Sequence, residues 1–67
     1  MKFHYYPETD SLYIDLSEKP SAETREVAPG VNLDFDLDGK IVGLDIDGAS
    51  KIVNLSKVEM EALPLAA

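Results

Sequence analysis

Val31-Asn-Leu-Asp-Phe-Asp-Leu-Asp-Gly-Lys-Ile-Val-Gly-Leu-Asp-Ile-Asp47, residues 31–47, decides the fold of this chain. Val31, Leu33, Phe35 and Leu37 alternate with Asn32, Asp34, Asp36 and Asp38, the period-two spacing of a half-buried strand. Asp38-Gly39 is the strongest short-range turn signal, because a type I′ turn needs positive φ at both central residues. With that dipeptide at the tip, Leu37 faces Lys40, Phe35 faces Val42, Leu33 faces Leu44 and Val31 faces Ile46. The apolar pairs fall on one face, and a slip of one residue would move them all to the other. The second face holds Asn32 opposite Asp45, Asp34 opposite Gly43 and Asp36 opposite Ile41. Turn chemistry and side-chain period agree on one register.

Outward from the hairpin, residues 2–6 read as a strand, with Phe3 and Tyr5 on one face and His4 and Tyr6 on the other. Residues 7–10 are turn chemistry, with Pro7 suited to the first central position of a type I turn. Leu12, Ile14 and Leu16 alternate with Tyr13 and Asp15 as a second strand, expected to pair antiparallel with the first. Residues 17–23 are polar and contain Pro20, hence a loop. Residues 24–27 make a short third strand with Val27 its clearest core residue, and Pro29-Gly30 turns into the hairpin. Asp36-Leu-Asp38-Gly39 recurs as Asp45-Ile-Asp47-Gly48, but a repeat architecture needs more and longer units. Each copy is read as a strand end finishing in an Asp-Gly turn.

Past the hairpin, residues 48–54 stay open between extended chain and a short helix capped by Asp47 or Ser50. Ser56 then precedes Lys57-Val58-Glu59 as a capping box, with Leu55 and Met60 placed for a hydrophobic staple. Val58, Leu63 and the alanines offer one apolar side, and Pro64 ends the helix. The expected class is α+β in one domain, residues 1–67. It is a small antiparallel β-meander of four to five strands with one or two short C-terminal helices packed on the apolar face.

At 67 residues the chain is near the lower limit of what folds alone, and it contains no Cys to add a disulfide or thiolate metal site. Self-association is the remaining common support, so a homo-oligomer is expected. The missing Cys fits a reducing compartment, and residues 1–7 lack the apolar core of a secretory signal, so the cytoplasm is expected. No apolar run is long enough to cross a membrane. Lys and Arg number 6 against 13 Asp and Glu, a net charge of −7, which speaks against nucleic acid because its phosphates would be repelled. The charge favours a basic protein partner, a cation, or simply water around a small, well-dissolved protein.

The chain resembles the family known as domain of unknown function 2283, small and mostly bacterial proteins. The matching elements are Tyr6-Pro7-Glu8 through Asp10-Ser11-Leu12-Tyr13-Ile14, then Gly30-Val31, Asp34-Phe35-Asp36 and Asp38-Gly39. They continue in Val42-Gly43-Leu44-Asp45-Ile46 and Ala49-Ser50, so the resemblance covers about residues 5 to 51. Where the family pattern closes in glutamate-isoleucine-leucine, this chain has Asp45-Ile46-Asp47, a more acidic strand end. The resemblance implies a compact β-meander with a C-terminal helix. It supplies no catalytic or binding residue. It also associates the chain with two-gene arrangements of the toxin and antitoxin kind, and so with a basic, toxin-like partner.

Asp34-x-Asp36-x-Asp38-Gly39 fits the opening of an EF-hand loop, with Asp45 at the position that wants a bidentate Glu. The flanks, however, have the period of strands and not helices. On a strand Asp34 and Asp36 share a face about 7 Å apart, with Asp45 diagonal to Asp34 and Asp47 following on that face. Asp34, Asp36, Asp45 and Asp47 are thus the candidate ligands of a weak calcium site, against the alternative of a solvated or edge-protecting acidic face. Catalysis finds little support: His4 is the one histidine, no serine sits in a nucleophile elbow, and open-face carboxylates lack the burial that splits their pKa values. No enzymatic role and no cofactor are expected. Tyr6, Tyr13, Asp34, Asp36 and Asp45 are the candidate interface residues, tyrosine being favoured in interfaces. The leading reading is a non-enzymatic protein-interaction module; the alternative is a divalent-cation module built on the aspartates.

Overall fold

The period-two alternations become five strands in the computed structural model, which describes residues 1–64: β1 (Lys2–Tyr6), β2 (Ser11–Asp15), β3 (Glu23–Ala28), β4 (Val31–Phe35) and β5 (Ile41–Asp47). They form one sheet in the order β1-β2-β5-β4-β3, each neighbouring pair antiparallel. The expected meander holds only for β3-β4-β5. The last strand enters the middle of the sheet, between β2 and β4. Apolar matching explains the choice: Leu12 and Ile14 of β2 lie opposite Ile46 and Leu44 of β5. β3, reading Glu-Thr-Arg-Glu, has no such row to offer and stays at an edge, where charge discourages further pairing.

Residues 16–22 carry the chain past the β4–β5 tip to the far edge. Leu16 N–H donates to the Val42 carbonyl at 2.9 Å, and Ala22 N–H to that of Phe35 at 2.7 Å.

The hairpin register is as expected at Val31–Ile46, Asn32–Asp45, Leu33–Leu44 and Asp34–Gly43. It then shifts: Phe35 lies opposite Ile41, so the expected pairs Phe35–Val42, Asp36–Ile41 and Leu37–Lys40 are not made. The tip differs too. Gly39 has φ +78° while Asp38 is not left-handed, which excludes a type I′ turn. Gly39 N–H instead donates to the Asp36 carbonyl at 3.0 Å, and Asp36 N–H to that of Lys40 at 2.8 Å. The loop is therefore the three residues 37–39, a type I turn closed by a left-handed glycine. Asp36 selects it, because its Oδ1 accepts the amides of Asp38 and Lys40, each at 2.9 Å. Leu37 is left at the tip, 92% exposed.

The C-terminal helices are not formed. Among the described residues the chain past β5 has one 3-10 turn, Ala49–Lys51, and no α-helix. Neither Asp47 nor Ser50 caps it; Gly48, at φ +61°, enters it without a side-chain cap. Ser56 turns back to Asn54 Oδ1, which accepts both its amide at 3.1 Å and its hydroxyl at 2.6 Å, so the expected capping box is spent on a local turn. A seven-residue helix with β-branched Val58 inside it has little to offset the cost of nucleation. Ala62 is left-handed, at φ +53°, which no helix accommodates. Ala66 and Ala67, counted above on the helix's apolar side, lie outside the described residues. No helix among those described is long and apolar enough to cross a membrane.

Opposed residues share a face, so one side of the sheet carries Phe3, Tyr5, Leu12, Ile14, Leu33 and Leu44, and the other is polar. Burial is shallow. Val42, Ile46 and Ala49 are the buried apolar residues among those described, and Val27, expected in the core, is 54% exposed beside a bulge at Glu26–Ala28.

Candidate functional site

The polar face is built by register. Tyr13 on β2 lies opposite Asp45 on β5, which lies opposite Asn32 on β4; Asp15, Gly43 and Asp34 form the next row. Thr24 and Glu26 extend these rows onto β3, while Lys2, His4 and Tyr6 extend them onto β1. Asp15, Asp34, Asp45, Asp47 and Glu26 therefore share one surface.

Its centre is a side-chain bridge across four strands. The Tyr13 hydroxyl donates to Asp34 Oδ2 at 2.8 Å, and the Thr24 hydroxyl donates to Asp34 Oδ1. The bridge is possible because residue 43, between β2 and β4, has no side chain: a Cβ there would fall inside the Tyr13 hydroxyl and 2.8 Å from its Cζ. The hydrogen bond to Asp34, with burial and the charges of Asp34, Asp15 and Asp45 behind it, pushes the Tyr13 hydroxyl up to about 12. Asp45 is raised above the usual carboxylate range by burial and by the charges of Asp47 and Asp34. Burial is the larger cause, and the like charges beside it act in the same direction.

One carboxylate named as a candidate, Asp36, holds the fold. Asp36 is buried at the hairpin tip, and the loop amides of Lys40 and Asp38 lower its pKa against the opposing effect of burial. Its Oδ1 is committed to the amides of its own loop. Asp47 accepts the Ser11 hydroxyl at 3.3 Å. Asp10, not anticipated, ties the sheet to the 3-10 turn: its carboxylate accepts the Tyr5 hydroxyl at 2.7 Å, and the Ser50 hydroxyl and amide at 2.7 and 3.1 Å. The Tyr5 and Ser50 hydroxyls are the main causes of its lowered pKa.

Among the described residues no group of three or more His, Asp or Glu is placed to hold a metal ion. Asp34 spends both oxygens on hydroxyl donors, Asp36 points into its own loop, and Asp45 and Asp47 are what remain. His4 stacks on Tyr6 with ring centroids 4.2 Å apart, tilted at 45°, on the open edge strand. Tyr6 and Tyr13 share the polar face, but Tyr6 is 47% exposed while Tyr13 is half-buried in its bridge. Gly43 lies opposite Asp34 as expected, while the hydroxyls of Tyr13 and Thr24 are partners of Asp34 that the sequence reading does not supply. An isolated glycine inside a strand pattern is a known sign of close approach, and it is the local signal for the Tyr13 contact.

The ion pairs among the described residues are Arg25–Glu23 and Lys57–Glu59, and neither neutralises the polar face. The face therefore carries an excess of negative charge, with Tyr6 exposed at its edge and the Tyr13 hydroxyl committed to Asp34.

Comparison with known proteins places residues 2–50 on the model of a family described as "Protein of unknown function (DUF2283)". No curated protein and no solved structure matches the chain.

Proposed function

The chain belongs to the DUF2283 family, and we propose that it is a non-enzymatic interaction module that presents its polar sheet face to a basic protein. One observation carries the reading. Asp15, Asp34, Asp45, Asp47 and Glu26 share a rigid surface on which Lys2 is the sole lysine or arginine by register. Like charges held on a sheet cost stability in the free protein. A cationic partner relieves that cost, and a potential of one sign steers its approach.

The test is affinity capture from the native host, followed by titration of the purified captured protein against wild type and a variant carrying Asp45→Lys and Asp47→Lys. Binding should weaken at least about tenfold in the variant and fall steeply with added salt. A captured protein that is itself acidic, or one whose affinity ignores both charge reversal and salt, would overturn the reading.

A further inference from the structure

We infer that the apolar face of the sheet is the contact surface of a homodimer, two copies stacking sheet on sheet with their acidic faces turned outward. This face lies opposite the one assigned to the basic partner, so the inference stands independently of that reading.

Area is the first ground. A monomeric protein of 7.3 kDa exposes about 4,200 Å². This chain exposes 5282 Å², an excess of roughly 1,100 Å². A standard stable interface takes about 800 Å² from each partner. The excess is more than one such interface would remove, so the chain has the area for it.

Its location follows from layer geometry. A sheet with one apolar face normally buries it against a second layer. Among the described residues the second layer is residues 53–60, which border a groove of about 540 Å³ between Phe3, Tyr5 and Ile14 on one side and Leu55, Val58 and Met60 on the other. Phe3 remains 44% exposed, Val58 66% and Met60 63%. Residues 53–60 fringe the face and leave these side chains open.

The area makes a second copy the occupant, and charge decides which face two copies use. Two chains of net charge −7 repel, and stacking through the polar faces would press their aspartates together. The opposite face presents no such obstacle. The charged residues the sheet register places on it, Arg25 and Glu23, neutralise one another at 3.5 Å, and Arg25 lies 4.0 Å over the Phe35 ring. Two sheets packed about 10 Å apart keep the acidic surfaces on the outside of the sandwich. Edge-to-edge pairing through β3 is less suited, since that strand is charged and bulged, and pairing through the β1 edge is an outcome the test distinguishes.

Sedimentation of the full chain tests this. Wild type should reach twice the monomer mass above roughly 10 µM, and added salt should tighten the dimer by screening the outer faces. Phe3→Asp should return it to one chain, while Asp45→Asn on the other face should leave the dimer intact. If Phe3→Asp fails to fold, NMR dilution of the wild type replaces it. The signals that move should then be Phe3, Ile14, Leu33 and Leu44, and not Tyr6, Asp34 or Asp45. A mass of one chain throughout, or dilution shifts confined to the polar face or the β1 and β3 edges, overturns the inference.

Discussion

Gly43→Ala is the sharpest probe of the four-strand bridge. The new Cβ would overlap the Tyr13 hydroxyl and lie 2.8 Å from Cζ and 3.1 Å from Asp34 Oδ2, so the ring must leave. A hydrogen bond to a charged acceptor contributes about 1.5–3 kcal/mol. The lower end applies here, because Asp34 keeps the Thr24 hydroxyl and water reaches the site. Crowding adds about 1–3 kcal/mol. Replacing a strand glycine by alanine returns about 0.5–1 kcal/mol of backbone entropy. The net loss is about 1.5–4 kcal/mol, a fall in Tm of at least roughly 6–12 °C for a domain of this size. Thermal melts followed by circular dichroism measure it. A tyrosinate absorbance titration should show the Tyr13 transition dropping from about 12 towards its ordinary value. Because that pKa is raised in the folded state, the stability it brings is complete below about pH 10 and is lost as pH rises towards 12. The decisive comparison uses Tyr13→Ala as background, where Gly43→Ala should be neutral or stabilising. An equal loss in both backgrounds would refute the account of why residue 43 is glycine.

Gly39→Val should cost about 1–2 kcal/mol or more, purely from the left-handed backbone at φ +78°, since no atom lies within 4 Å of the added Cβ. Unchanged melts would mean that residue 39 is not held left-handed. Asp45→Asn should stabilise by about 0.5 kcal/mol at pH 7, because neighbouring charges and burial disfavour the ionised form. The sign follows: a raised folded pKa means stability lost as pH climbs through it, so the gain should vanish near pH 3, where Asp45 is already neutral. Finally, calcium and sodium at equal ionic strength should raise Tm alike. An excess for calcium that Asp34→Asn with Asp45→Asn removes would establish a site.

What the sequence made legible were the local, periodic features. Four cross-strand pairs of the β4–β5 hairpin follow from alternation together with the Asp38-Gly39 turn signal, because a slip of one residue would expose Leu33 and Leu44 together. The tip did not follow. In Asp36-Leu-Asp38-Gly39 two aspartates compete to organise the turn, and the competition is settled by the side chain of Asp36 reaching the amides of residues 38 and 40. Strand order was equally hidden: a seven-residue loop serves a neighbouring or a distant strand alike, and only the match of Leu12 and Ile14 with β5 decides. The capping-box signal at Ser56 and Glu59 was real chemistry, but Asn54 captured the serine first. Of the polar face, the shared side of Asp34, Asp45 and Asp47 could be read from the hairpin. The partners of Asp34 could not, since Tyr13 and Thr24 come from strands whose placement no local pattern reveals.

The insertion of β5 between β2 and β4 has a kinetic consequence. β1 with β2, and β3 with β4 and β5, are each closed by short turns, whereas Leu12 must find Ile46 across half of the chain. Loop-closure entropy makes that long-range docking the slow event. Two open sheet edges, those of β2 and β5, wait for each other until it happens. The bond from Tyr13 to Asp34 crosses this seam and forms only once the docking is complete. A chain still being synthesised short of residue 41 holds two hairpins with no strand in common, each marginal by itself. The sheet becomes one object only when its middle strand, the last made, arrives.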